Sequence, residues 1–210
     1  MRRILFAGAT GLVGREILRV LLADDTVDRV HVLARRPGPG AHPKLVWQVV
    51  DFAALPALPA MDEVYLALGT TIKAAGSQTA FRAVDLDANL AVARAALRAG
   101  ARRLGLVSAM GADSRSRVFY NRVKGELEAA VAALGFDGVV IARPALLLGD
   151  RDALGQAKRP GERIGALLAG LLRPIIPADY RPIQACAVAR ALLAQVPRAR
   201  GNSVMRSGAM

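Results

Sequence analysis

The chain opens MRRILFAGATGLVG, a short apolar run that breaks into three glycines spaced by three: Gly8, Gly11 and Gly14. Glycines at the point where a buried strand turns into a helix let the backbone turn tightly and approach a ligand closely. The first amides of that helix then point at a negative charge. The pattern suits the pyrophosphate of a dinucleotide, and it demands a strand before it and a helix after it. Ile4-Leu5-Phe6-Ala7 reads as a parallel-sheet strand buried on both faces. Ile17, Leu18, Leu21 and Leu22 recur at helical spacing, and Val30-His31-Val32-Leu33 completes a βαβ unit.

The alternation continues. Residues 44–50, 63–68, 102–107 and 138–142 read as strands, with helices over 78–99 and 117–134 between them. Arg35-Arg36-Pro37-Gly38-Pro39-Gly40 is a loop. Strict alternation predicts an α/β fold with a doubly wound parallel sheet of about seven strands. The last sixty residues are less regular and carry Pro160, Pro174, Pro177 and Pro182; helices are expected over 162–172 and 184–195, and a last strand over 202–206. At 210 residues the chain has enough length for one well-cored domain and hardly enough for two. Residues 1–210 are therefore read as one domain, in which 145–210 form a small irregular region on the substrate side. Ligands bind such sheets beyond the carboxyl ends of the strands. Gly8, Arg35, Asp51, Gly69, Ser108 and Pro144 all fall at or just past predicted strand ends.

Composition removes several alternatives. Hydrophobic residues make up 53% of the chain, too many for a disordered one, and no apolar run is long enough to span a membrane. Arg2 and Arg3 precede an apolar stretch as in a signal peptide, but no cleavage-site pattern follows. One cysteine excludes an intrachain disulfide, and two histidines without a cysteine cluster give no metal site. A cytoplasmic setting is expected. The net charge of +12 comes mostly from scattered arginines, since only four of the 29 basic residues are lysines. No basic strip interleaved with aromatics appears, so specific nucleic-acid binding is not expected, and an anionic cofactor accounts for the excess.

The chemistry concentrates on Tyr120 and Lys124, four residues apart and so on one helix face. A positive charge beside a tyrosine favours its ionised form, which suits it to exchange a proton with a carbonyl or alcohol oxygen. Ser108 ends the preceding strand, where its hydroxyl could orient the same oxygen. A carboxylate after the second strand would favour NAD. Arg35 and Arg36 stand there instead and suit a 2′-phosphate, which predicts NADP(H) over NAD(H). His31, His42, Cys186 and Trp47 have no evident partner for chemistry; Cys186 is expected to be a buried small residue and Trp47 a core or sheet-edge residue.

Taken together, Gly8-x-x-Gly11-x-x-Gly14, Ser108 and Tyr120-x-x-x-Lys124 resemble an atypical short-chain dehydrogenase/reductase, whose glycine spacing also differs from G-x-G-x-x-G. The segments YNRVKGELE (120–128), RPALLLGDR (143–151) and RPGER (159–163) resemble the branch of Tat-interacting, tumour-suppressor-type oxidoreductases and their bacterial relatives. The resemblance covers nearly the whole chain. It implies that Tyr120 is the general acid/base, that Lys124 binds the nicotinamide ribose, and that Ser108 holds the substrate oxygen. It implies further that Thr10, Gly11, Leu12 and Val13 wrap the pyrophosphate and that Asp51 and Phe52 contact the adenine. Leu68 and Gly69 would then line the adenine ribose, Thr70 would belong to the same cofactor site, and Pro144 would touch the carboxamide. A homodimer is also implied. One feature departs from the superfamily: the helix asparagine of its proton relay has no assignable counterpart in AVDLDANLAVARAA, where Asp85 and Asn89 both stand. Three readings stay open: an NADP-dependent oxidoreductase acting on a small carbonyl or alcohol, an NADP(H)-binding redox sensor or regulatory partner without turnover, and a nucleotide-sugar epimerase or dehydratase.

Overall fold

The apolar run after the first two arginines forms β1 (Arg2–Ala7), whose residues Ile4, Leu5, Phe6 and Ala7 have no solvent exposure. A strand buried on both faces needs a layer on each side, and the rest of the chain supplies both. The computed structural model describes residues 1–38, 40–149 and 177–210. Helix α1 (Leu12–Ala23) follows the glycine turn, then β2 (Val27–Ala34), β3 (Leu45–Val49) and β4 (Glu63–Leu66). Next come α2 (Ile72–Ala75), α3 (Gln78–Arg82), a π-helical segment (Ala83–Ala88) and α4 (Asn89–Arg98). Strand β5 (Arg103–Val107), helix α5 (Phe119–Ala132), β6 (Gly138–Arg143) and β7 (Leu147–Leu148) complete the first part. After residue 176 come β8 (Ile183–Gln184), α6 (Ala185–Gln195) and β9 (Gly201–Arg206).

Seven of these strands form one parallel sheet in the order β3-β2-β1-β4-β5-β6-β9, while β7 and β8 pair separately. This is the doubly wound, Rossmann-type sheet the alternation predicts. The order reverses between β1 and β4, which opens a crevice beyond their carboxyl ends. On one face Leu5, Val64, Leu66, Leu104 and Leu106 pack with Phe81, Val92, Val123, Leu127 and Val131 from the 78–98 helical stretch and α5. On the other, Ile4, Phe6, Val30 and Val32 pack with Ile17 and Leu21 of α1 and Val188 and Leu192 of α6.

Some expectations change. The helix expected over 78–99 is three segments with a π-helical centre, and the two-residue strands β7 and β8 and the short α2 carry too little periodicity to be read from sequence. The strand expected over 63–68 stops at Leu66, freeing Leu68, Gly69 and Thr70 for a turn. The expected helix over 162–172 lies outside the described residues. Cys186 is half-exposed rather than buried, because it sits on the outer side of α6 beside Arg190. Trp47 stands on the edge strand β3, half-buried. Among the described residues no helix is long and apolar enough to cross a membrane.

Leu127 anchors α5 to the sheet with no solvent exposure. Leu127→Ala is expected to lower unfolding free energy by about 2–5 kcal/mol, because deletion of a core side chain loses transfer energy and leaves a cavity. A denaturant-unfolding midpoint measured for both proteins checks this.

Candidate functional site

The glycine turn has no room for side chains. Gly8 leaves β1 with φ +96°, and a Cβ on it would lie 2.2 Å from the carbonyl carbon of Ala67. A Cβ on Gly14 would lie 2.0 Å from the Gly8 carbonyl oxygen. The Gly11 amide donates to that oxygen at 3.1 Å, which closes the turn. Helix α1 then begins at Leu12 with Gly11 as its cap, no side chain bonded to its first amides and no acidic residue in its first turn. The positive end of the helix dipole is thus uncapped and uncompensated. Thr10 is exposed on the turn, Leu12 is half-buried, and Val13 and Gly14 are buried. A backbone cradle of this shape, with open amides, fits an anionic pyrophosphate.

The residues expected around an adenosine lie past the neighbouring strands. Arg35 and Arg36 follow β2, exposed and without an ion pair among the described residues. Their backbone is held by Trp47, whose Nε1 donates to the Arg36 carbonyl at 2.8 Å. Asp51 is exposed and accepts the Ala53 amide at 2.9 Å, while Phe52 packs half-buried on the core. The turn after β4 is tied down on its inner side: Asn89 Nδ2 donates to the Leu68 carbonyl at 3.2 Å, and the Thr70 amide donates to Asp85 Oδ2 at 2.8 Å. Pro144 is buried and its carbonyl accepts the Met110 amide at 3.0 Å.

Helix α5 carries the chemistry on one face, with Tyr120, Lys124 and Glu128 at successive turns. The Tyr120 ring lies tilted against Phe81, 5.5 Å between centroids. Lys124 is 4% exposed, and its Nζ is 2.7 Å from Asp85 Oδ1. Ser108, also buried, donates from Oγ to Glu128 Oε1 at 2.5 Å. Arg143, at the end of β6, grips both oxygens of Glu128 through Nε, at 3.0 and 3.1 Å. Those hydrogen bonds, against the opposing effect of burial, raise the Arg143 guanidinium above its ordinary value.

The structure therefore joins Lys124 to Asp85 and Ser108 to Glu128. It does not join Ser108 to Tyr120 by a hydrogen bond, and the expected use of the Ser108 proton on a substrate competes with its bond to Glu128. Sequence reading missed Glu128 and Arg143. The signal was an acid one turn beyond Lys124 on the buried side of α5, facing the arginine that ends β6. Asp85 and Asn89, unassigned from sequence, turn out to be buried and bonded to the turn after β4.

A protein-family model described as NAD(P)H-binding matches residues 8–162. The chain is 37% identical over 182 residues to "Protein fmp52, mitochondrial" of Emericella nidulans, covering 82% of this chain and 76% of that protein. It is 34% identical over 199 residues to "Protein HTATIP2" of Rattus norvegicus, covering 91% of this chain and 80% of the relative. Its fold is similar to that of the Bordetella bronchiseptica enzyme WbmH in complex with NAD+, with TM-score 0.71 and 17% identity over 99% of this chain and 76% of that one. The resemblance to short-chain dehydrogenases/reductases is borne out. The cytoplasmic setting is not: fungal relatives 35–37% identical to the chain are named mitochondrial.

The Ser108–Glu128–Arg143 cluster generates a test of its own. Arg143→Leu strands a buried carboxylate and is expected to cost about 3 kcal/mol of stability, because removing one partner of a buried pair leaves the other charge uncompensated. The double variant Glu128→Gln, Arg143→Leu removes both charges and should recover most of that loss in denaturant unfolding.

Proposed function

Because the chain belongs to the NAD(P)H-binding family, we propose that it is an NADP-dependent oxidoreductase that moves a hydride between nicotinamide and a small carbonyl or alcohol. One juxtaposition carries this reading. The turn after β4 touches the glycine cradle on one side, where Gly8 abuts Ala67 and Leu68, and a Cβ on its Gly69 would stand 3.8 Å from Lys124 Nζ on the other. A dinucleotide that seats its pyrophosphate on the cradle therefore extends toward the face of α5 that bears Lys124 and Tyr120.

When bound, the nicotinamide supplies or accepts the hydride. The chain's own residues do the rest. Gly8, Thr10, Gly11, Leu12, Val13 and Gly14 form the cradle for the pyrophosphate, with the open amides at the start of α1 turned to it and the Gly11 amide closing the turn. Arg35 and Arg36 pair with the 2′-phosphate, for which their planar donors are suited. Asp51 and Phe52 border the adenine, the Leu68, Gly69 and Thr70 turn runs from the adenine ribose toward the nicotinamide-side ribose at Lys124, and Pro144 borders the carboxamide. Lys124 donates to the nicotinamide-side ribose. Tyr120 gives its hydroxyl proton to the substrate oxygen in reduction and takes it back in oxidation. Ser108 meets the same oxygen by exchanging its hydrogen bond to Glu128 for one to the substrate.

The engagement of Ser108 by Glu128 favours one second reading, a protein that binds NADP(H) at this site and senses its redox state without turnover. The two readings share the cofactor and part at Tyr120.

Titration followed by nicotinamide fluorescence should give tighter binding of NADPH than of NADH. Arg35→Ala with Arg36→Ala should weaken NADPH by about tenfold to a hundredfold, the worth of one or two charge-assisted hydrogen bonds, and leave NADH unchanged. Equal affinities for the two cofactors in the unaltered protein would remove the NADP assignment. Tyr120→Phe should abolish turnover in a screen of small carbonyl substrates while keeping NADPH affinity within about twofold, since the hydroxyl acts on the substrate rather than the cofactor. Activity that survives this change would refute the role of Tyr120.

A further inference from the structure

A carboxylate inside a helix and facing the core is costly unless something there needs it. Asp85 is such a residue, with no solvent exposure, whereas Asp87, two positions on, faces solvent. Both lie in the π-helical segment Ala83–Ala88, whose inward face carries Asp85. Its wider turn re-aims the residues it carries, and such turns recur at functional sites. Here Asp85 reaches two elements at once: Oδ2 accepts the Thr70 amide at 2.8 Å, and Oδ1 stands 2.7 Å from Lys124 Nζ. Asn89 locks the arrangement one turn later, with Nδ2 donating to the carbonyls of Val84, Asp85 and Leu68 at 3.2 Å.

We propose that Asp85 is a positioning residue that acts through Lys124: its carboxylate holds the ammonium beneath the Gly69 and Thr70 turn, aimed where the nicotinamide-side ribose is bound. This role rests on the cofactor reading above. An ammonium has three protons, and an ion pair with one carboxylate oxygen leaves protons for the paired hydroxyls of a ribose. A free lysine side chain has four rotatable bonds to order on binding; the ion pair orders them beforehand, so less of the binding energy is lost. Gly69 keeps the approach open. It is exposed, and even a Cβ there would lie 3.5 Å from Asp85 Oδ1 and 3.8 Å from Lys124 Nζ. Asp85 Oδ1 is buried and has no hydrogen-bond partner among the described residues, so the Lys124 ammonium is its one compensating contact there. Charge balance also favours the pair, because a lysine 4% exposed has its counter-charge in Asp85 and in no other ion pair among the described residues.

The test compares two ligands on the full chain: NADPH, and 2′,5′-ADP, which lacks the nicotinamide mononucleotide half. Asp85→Asn keeps the size of the side chain and removes its charge. It is expected to weaken NADPH by about tenfold, the worth of a charge-assisted hydrogen bond, with 2′,5′-ADP unchanged. Lys124→Met should do the same or more. The variant with both changes, which buries no net charge and so remains a folded comparator, should bind NADPH as Lys124→Met does, because Asp85 has no effect without the lysine. The proposal is overturned if Asp85→Asn binds NADPH like the unaltered protein, if it weakens both ligands alike, or if the two single effects multiply in the double variant. Failure of the underlying reading looks different: Lys124→Met would then leave NADPH affinity untouched, or the unaltered protein would bind neither ligand.

Discussion

The close approach of two backbones governs this molecule. Gly8, leaving the central strand β1, lies so near the backbone of Ala67 and Leu68 that a methyl group would overlap it, and Gly14 lies as near to Gly8. This contact sets where α1 begins and in which direction its free amides point. It also sets where the chain must turn after β4. The start of α1, the open amides at its end and the turn that borders the crevice all depend on that one packing. Replacing either glycine would push apart the strand, the helix and the turn together, which is why three residues without side chains constrain so large a part of the fold.

The second organising element is α5. Its inner face is apolar through Val123, Leu127 and Val131, which attach it to the sheet. Interleaved with them are Lys124 and Glu128, both buried and both paired with charges from other elements, Asp85 and Arg143. Two buried ion pairs one helical turn apart add little to stability, since desolvation consumes most of their attraction. What they provide is orientation. Each ties α5 to a different strand end, Lys124 to the turn after β4 through Asp85 and Glu128 to the ends of β5 and β6 through Ser108 and Arg143. The face that bears Tyr120 is thereby held in register with the crevice.

Much of this was legible in the chain. The glycine spacing, the alternation of strand-like and helix-like segments and the Tyr120 and Lys124 pair are local patterns, and local patterns report secondary structure and helix faces directly. Arg35 and Arg36 are legible for the same reason, being placed by the end of β2. The partners of the buried charges were not. Asp85 and Asn89 sit in a segment that reads as ordinary helix, and only the structure shows that they face inward onto the turn after β4. Glu128 reads as a surface acid in a helix of mixed character until Arg143 and Ser108 are found against it.

The amino-acid sequence by itself determined the sheet, the helices that cover it, and the cradle at the end of β1, because each depends on residue types at short and regular spacing. Only the tertiary structure decided which charged groups meet. Lys124 and Asp85 are 39 positions apart, and Ser108, Glu128 and Arg143 come from three different elements. No periodicity encodes such pairings. They follow from how the helices seat on the sheet, where burial makes an unpaired charge costly and so selects the arrangement in which each finds its partner.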